Sequence, residues 1–323
     1  MKKFLKYLST FIIISTFFSC FSNITFAKTN NISEPLKIID TDSKKSLPAN
    51  YRNIKNLNIS GSAQFNPKQV NHIIKDINAK DILFVDLRQE SHGFINNLAF
   101  SYFGNSYILN CGLNTTNVLK NEKILLSSVP INTNVTIYKK TGEIYKIIKS
   151  KTVLDEETLI TNSNSTYLRL PVKDEGIPSL EIVDNFVSLI KDKPKNLHIH
   201  FHCAHGIGRT TQFMVLYQIM NNDDNLSLKE ILEYQIKKGG VDLTNLKERA
   251  EFLDNFYKYV EENKKNNYKI PYSTWTTNNN LQNIKRLITS QNKTVINLLF
   301  LLFFIYNFFI YLRNCIASCK YHS

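Results

Sequence analysis

His202-Cys203-Ala204-His205-Gly206-Ile207-Gly208-Arg209-Thr210 joins an apolar β-like run, Leu197-His198-Ile199-His200-Phe201, to a helical pattern carrying Phe213, Met214, Leu216, Tyr217 and Met220. A strand–loop–helix context puts the backbone N–H groups of Ala204, His205, Gly206, Ile207 and Gly208 at a helix N-terminus. There the helix dipole and the unpaired donors attract an anion. Gly206 and Gly208 permit backbone conformations that a Cβ obstructs, so successive N–H groups can curl into a nest. Cys203 lies at the bottom of that nest and Arg209 closes it. The alternative, a structural cysteine beside a chance arginine, leaves the paired glycines and the strand–helix flanks without a reason.

Phosphate-ester chemistry uses each of these residue types. A free thiol titrates near ~8.5, and a helix N-terminus with nearby cations lowers that value. The thiolate can attack phosphorus and form a cysteinyl-phosphate. Arg209 offers a planar fork for two phosphoryl oxygens. Thr210 can donate its hydroxyl to the sulfur, and His202, just before the nucleophile, is placed to orient the loop.

A chain of 323 residues can bury one substantial core with appendages. Its formal charge is +13, and +10 without the first 27 residues, which hold Lys2, Lys3 and Lys6 and no acid. Such an excess favours a polyanionic ligand or surface. No zinc-finger spacing or aromatic RNA-binding pattern accompanies it, so nucleic acid is not expected as a partner. Of the five cysteines, Cys20, Cys315 and Cys319 lie near the termini. Cys111 and Cys203 are too few to staple a fold of this size. Cys111 reads as a small buried hydrophobe.

Both ends carry targeting-like segments. Residues 1–27 have a basic start, an apolar stretch from Leu8 to Phe21 and the small-residue site Thr25-Phe26-Ala27, as in a secretion signal. A lipoprotein reading at Cys20 fits less well, because Phe17-Phe18-Ser19 precedes it. Residues 295–312 are nearly all Leu, Ile, Phe, Tyr and Val, long enough to span a bilayer as a helix. Basic residues flank that segment on both sides, so orientation follows from the signal: an exported, extracellular or cell-surface domain with a short tail, residues 313–323, inside. Residues 28–50 and 277–294 read as linkers.

Between them lies one α/β domain, residues 51–276. Val70, Ile73, Ile74 and Ile77 mark a helix after Asn66-Pro67. Ile82-Leu83-Phe84-Val85-Asp86-Leu87 is a buried strand. It ends in the polar cluster Arg88-Gln89-Glu90-Ser91-His92-Gly93, where open α/β sheets bind ligands. Short β-like runs, including Tyr107-Ile108-Leu109, Ile124-Leu125-Leu126, Val135-Thr136-Ile137-Tyr138 and Glu143 to Ile148, suggest a small β subdomain inserted over residues 107–150. Tyr167 to Val172 is another strand, Leu180 to Leu189 a helix, and Ser227-Leu228-Lys229-Glu230 a capping box.

Splitting a phosphate ester also needs a proton for the departing oxygen. Asp174, on a loop after a strand and bounded by Pro171 and Pro178, is the leading donor; its neighbour Glu175 is the rival. Either in isolation is equally a solvated loop carboxylate. The ordered set Leu168-Arg169-Leu170-Pro171-Val172-Lys173-Asp174, Ile177-Pro178 and His200 to Thr211 resembles the protein-tyrosine-phosphatase-like inositol polyphosphatases, or cysteine phytases. The likeness extends to Ser60 to Phe65, Asp86 to Gly93, Gln235, Gly239-Gly240, Phe256 to Val260 and Pro271 to Trp275, about residues 50 to 276.

The resemblance implies a protein-tyrosine-phosphatase-like core sheet flanked by helices, with a small β subdomain. It implies stepwise removal of phosphates from inositol polyphosphates, with Cys203 as nucleophile, Asp174 as acid and neither metal nor cofactor. Asp86, Arg88, His92, Glu175, Lys247 and Arg249 are the expected substrate-binding residues. The family usually has His directly after the acid; here Glu175 stands there, and a carboxylate repels a highly phosphorylated ring. The alternatives are a protein-tyrosine or phosphoinositide phosphatase and a non-catalytic phosphate-binding module.

Overall fold

The computed structural model describes residues 35–104 and 109–282. The signal-like segment, the apolar segment 295–312, the tail 313–323 and Tyr107-Ile108 lie outside the described residues. Among those described, no helix is long and apolar enough to cross a membrane.

A five-stranded sheet carries the loop. Its strands are β2 (Arg52–Ile54), β3 (Ile59–Ser62), β4 (Ile82–Arg88), β10 (Thr166–Val172) and β11 (His198–His202), in the order β10-β4-β11-β3-β2. The β10–β4, β4–β11 and β11–β3 pairs are parallel, and β2 closes the edge antiparallel to β3. All seven residues of β4 and all five of β11 are buried, as expected of central parallel strands covered on both faces. The ends of β4, β10 and β11 therefore fall along one edge.

Helices α1 (Pro67–Ile77), α2 (Thr115–Ser127), α3 (Glu156–Thr161), α4 (Leu180–Asp192), α5 (Gly208–Met220), α6 (Leu228–Lys237) and α7 (Lys247–Asn263) surround the sheets. Asn66 caps α1, with Gln69 completing a capping box and Pro67 in the first turn. Ser227 and Glu230 make the box expected for α6. Helix α5 is buried from Arg209 to Met220. It packs in one cluster with Phe186 of α4, Ile231 of α6 and Phe252 and Phe256 of α7. Burial on every side accounts for its lack of a polar stripe.

The second sheet is larger than the expected insertion. β1 (Leu36–Thr41), β5 (His92–Ile95), β6 (Leu98–Phe103), β7 (Asn134–Tyr138), β8 (Ile144–Lys149) and β9 (Val153–Leu154) run in the order β8-β7-β1-β6-β5-β9. The supposed linker thus holds a paired strand, with Leu36 opposite Phe103 and Ile38 opposite Ser101. Its polar sequence hid it, because only Ile38 in that strand is fully buried. Ile124-Leu125-Leu126 belongs to α2, where Asn114 accepts the Asn117 N–H at the cap. Cys111 is exposed rather than buried. Asn110 takes the interior place instead, donating to the Gln89 carbonyl at 2.8 Å and Ser91 Oγ at 3.0 Å.

Candidate active site

Cys203 follows the last residue of β11, and α5 begins five residues later at Gly208. The carbonyls between them are held from outside. Gln64 N donates to Ala204 O at 3.2 Å, Asn50 Nδ2 to His205 O at 2.8 Å and Arg52 Nη1 to Gly206 O at 2.8 Å. With carbonyls turned outward, peptide planarity turns the N–H groups toward the thiol. Gly206, at φ +70°, donates its N–H to Cys203 Sγ at 3.3 Å. A Cβ on Gly206 would collide with the backbone of Ser62 and Ala63, so the nest requires glycine there.

Cys203 is 3% exposed. Thr210 Oγ1 donates to its sulfur at 3.2 Å. Burial opposes ionisation of the thiol. The charge of Arg209 and the hydrogen bonds from Thr210 and Gly206 outweigh it and bring the thiol below its ordinary value.

Arg209 is aimed from behind by Glu90. Nη1 donates to Oε2 at 2.8 Å and Nη2 to Oε1 at 2.9 Å, while Nη1 also donates to the Val172 carbonyl at 3.0 Å. Its outer nitrogen, Nη2, reaches Asp174 Oδ1 at 3.1 Å. The Asp174 side chain is 41% exposed, so the acid stands at the open edge beside a buried Arg209. Burial opposes the charge on Glu90, yet Arg209 and Arg88 hold its carboxyl well below the usual range. In the sequence Glu90 is one member of a polar cluster; its role emerges from pairing across 119 positions. Nothing near Arg52 in sequence points to its contact with a loop 154 positions away.

Asp86, Arg88 and His92 do not line the surface. Their exposures are 0, 0 and 1%. They lie in a buried polar network beneath the site, which corrects their expected role as direct substrate contacts. Asp86 Oδ2 meets Arg169 Nη1 at 2.7 Å and accepts from Tyr167 at 2.9 Å. Arg88 donates from Nε to Glu90 at 2.9 Å and from Nη1 to Asp40 of β1 at 2.9 Å, so the second sheet braces the first. His202, expected to orient the loop, pairs with Glu156 Oε1 at 2.6 Å. Burial and Arg88 press His92 toward neutrality; Asp86 and Glu122 prevail and push it up to about 10.

Asp86, His92 and Glu156 place ligand-type atoms within 4.8 Å of one another. Their oxygens are already taken by Arg169, Tyr167, His202 and Gln64, the last donating to Glu156 Oε2 at 2.9 Å. The cluster reads as an ion-pair network rather than a metal cage.

Two expected contacts separate. Lys247, 88% exposed, faces Glu251 one turn along its own helix at 3.6 Å. Arg249 is 8% exposed and packs over Gly208, where its Nη1 would lie 3.1 Å from a Cβ. Its buried Nε has no hydrogen-bond partner. Burial lowers its pKa, while Asp174 and Glu175 act in the opposite sense. Glu175 itself is exposed and adopts φ +59° beside the acid.

Residues 85–221 match the PTPlike_phytase family, whose description reads inositol hexakisphosphate. The structure of the PTP-like myo-inositol phosphatase from Mitsuokella multacida, in complex with myo-inositol-(1,3,4,5)-tetrakisphosphate, superimposes with TM-score 0.69. The two are 27% identical, over 78% of this chain and 50% of that one. A PTP-like phytase from Bdellovibrio bacteriovorus superimposes with TM-score 0.65 at 29% identity, covering 77% of this chain and 97% of its own. Residues 85–221 are a protein-tyrosine-phosphatase-like phytase region.

A curated relative, the effector protein hopD2 of Pseudomonas syringae pv. tomato, is 24% identical over 216 residues, 61% of this chain and 46% of the effector. The chain thus spans about half the length of the effector and of the Mitsuokella phosphatase. Glu90, from within the matched region, and Arg52 and Arg249, from outside it, join the site that Cys203, Arg209 and Asp174 define.

Proposed function

We propose that the protein is a cysteine-dependent phosphomonoesterase that removes phosphates from inositol polyphosphates through a cysteinyl-phosphate intermediate. The observation that carries this reading is the convergence on one point of Cys203 Sγ, hydrogen-bonded to Thr210 and Gly206, and of Arg209, clamped by Glu90 and touching Asp174.

The phosphate enters the nest, its oxygens taking the loop N–H groups and the outer edge of Arg209. The Cys203 thiolate attacks phosphorus, and the P–O bond to the inositol breaks. Asp174 gives its proton to the leaving oxygen. In the second half Asp174 takes a proton from water, whose oxygen attacks the cysteinyl-phosphate. The P–S bond then breaks, and Thr210 stabilises the sulfur as it leaves as thiolate. Arg209 follows the phosphoryl oxygens through both steps.

Arg249, buried against Gly208 and with an unsatisfied Nε, is the cation for a neighbouring phosphate. Glu175 opposes crowded negative charge on the same side. Their balance favours a partly phosphorylated ring over the fully phosphorylated one. The signal-like N-terminus supports export of this activity, and fractionation of cells expressing the full chain tests that; recovery confined to the cytoplasm would argue against it.

Phosphate release from inositol hexakisphosphate, an inositol tetrakisphosphate, a phosphoinositide and a phosphotyrosine peptide tests the substrate class. Inositol phosphates are expected to be turned over fastest, with all release lost in Cys203→Ser. Full activity in Cys203→Ser, or turnover confined to the peptide, would overturn the proposal.

A further inference from the structure

A second cationic cavity of about 490 Å³ lies between the segment after β1, the first turns of α1 and strand β8. Lys44 and Lys45 enter it from the first, Lys68 and His72 from the second, and Lys146 from the third; Asn97, in the β5–β6 turn, adds an exposed amide. None of these residues belongs to the phosphate loop, the acid loop or the buried network described above.

The wall is organised in advance. Asn66 Nδ2 donates to Ser43 O at 2.8 Å and Gln69 Nε2 to Lys45 O at 3.0 Å, tying the two-lysine turn to the start of α1. Ser43 N donates to Thr41 Oγ1 at 3.1 Å and Lys45 N to Ser43 Oγ at 3.2 Å, which fixes the turn itself. Lys68 and His72 are four apart on α1, hence on one face.

The cavity's charge is cationic in excess. Lysines paired with carboxylates include Lys139, Lys191, Lys229, Lys247 and Lys264, whereas no ion pair within 4.0 Å joins Lys44, Lys45, Lys68 or Lys146 to a described carboxylate. One acid, Asp42, lines the cavity, and it accepts a hydrogen bond from the Tyr145 hydroxyl. Four ammonium groups around a hollow of this size repel one another unless an anion shares them.

We propose that this cavity is a second, non-catalytic binding site for a compact anion bearing several phosphate groups. Lysines suit phosphate as point charges, and the volume matches a small molecule. Free inositol polyphosphates and phosphoinositide headgroups share clustered phosphomonoesters, and the site recognises that common feature. The inference does not depend on turnover at Cys203.

Titration calorimetry of the full chain carrying Cys203→Ser with inositol hexakisphosphate at low salt tests it. A binding component is expected that survives Arg209→Met and weakens about tenfold or more in Lys44→Gln/Lys68→Gln/Lys146→Gln. In an otherwise unaltered chain, the triple variant should hydrolyse p-nitrophenyl phosphate within about twofold of the normal rate, since its changes lie outside the catalytic loop. Phosphatidylcholine vesicles with and without phosphatidylinositol bisphosphate form a second arm. Lysine-dependent binding to either probe supports the site, and the responding probe identifies the source. Binding of both probes unchanged in the triple variant, or abolished by Arg209→Met, would overturn it. Loss of p-nitrophenyl phosphate hydrolysis in the triple variant would join these lysines to the catalytic machinery and overturn the separate site, whereas absence of phosphate release by the unaltered chain would count against the proposed function alone.

Discussion

Glu90 accepts two hydrogen bonds from Arg209, Oε2 from Nη1 at 2.8 Å and Oε1 from Nη2 at 2.9 Å, and both side chains are almost fully buried. The clamp fixes the plane of the guanidinium before phosphate arrives. Glu90→Gln keeps the size but halves the acceptors and removes the charge. Its kcat is expected to fall about a hundredfold through misplacement of Arg209. Steady-state phosphate release with a circular dichroism spectrum checks this; an unchanged kcat in a folded variant would refute the clamp.

The Thr210–Cys203 hydrogen bond favours the thiolate. A hydrogen bond to a charged group stabilises that charge, so Thr210→Ala should raise the thiol pKa. The rate of alkylation of Cys203 by iodoacetamide against pH reads that shift directly. The acidic limb of kcat/KM should move upward with it.

Asp174→Asn removes the proton donor while leaving the nest intact. On inositol phosphates, whose leaving group is an alkoxide, kcat should drop about 10²- to 10⁴-fold. On p-nitrophenyl phosphate, whose leaving group departs without a proton, the loss should be far smaller. Equal losses on both substrates would assign Asp174 to binding rather than to acid catalysis.

The two loop glycines should respond differently. A Cβ at Gly206 meets backbone, and that residue is at φ +70°. Gly206→Ala should therefore abolish turnover. At Gly208 a Cβ meets the end of the Arg249 side chain at 3.1 Å, which can yield. Gly208→Ala should fold and raise KM for inositol phosphates more than it lowers kcat.

The buried network predicts an alkaline loss of stability. His92 is raised from 6.5 to about 10 in the fold, so between those values the folded chain holds a proton that the unfolded chain releases. Its contribution is complete below about 6.5, the ordinary histidine value, and is lost as pH climbs through about 10. Urea unfolding from pH 6 to 10 should show that decline, and His92→Gln should flatten it from a lower starting stability. A parallel decline in His92→Gln would place the effect elsewhere.

Local sequence carried much of the site. Cys203, Arg209 and Thr210 sit within one turn of loop and helix, where spacing sets geometry. Asp174 was legible from its place after β10, and the Ser227–Glu230 capping box from residues three apart. The role of the Arg88-to-Gly93 cluster was legible only by position. Its ionisable residues proved to point inward, because Asp40 and Glu122 lie there to receive them.

The amino-acid sequence by itself determined the strand–loop–helix with Cys203 and Arg209, the central parallel strands and the helices that cover them, all features written in contiguous residues. Tertiary structure alone decided that Glu90 aims Arg209 and that Arg52 holds the loop from behind. It also decided that a polar segment before residue 50 becomes β1. These contacts join residues tens to more than a hundred positions apart. Their energy comes from pairing charges and backbone groups that folding has already removed from water, so no local periodicity records them.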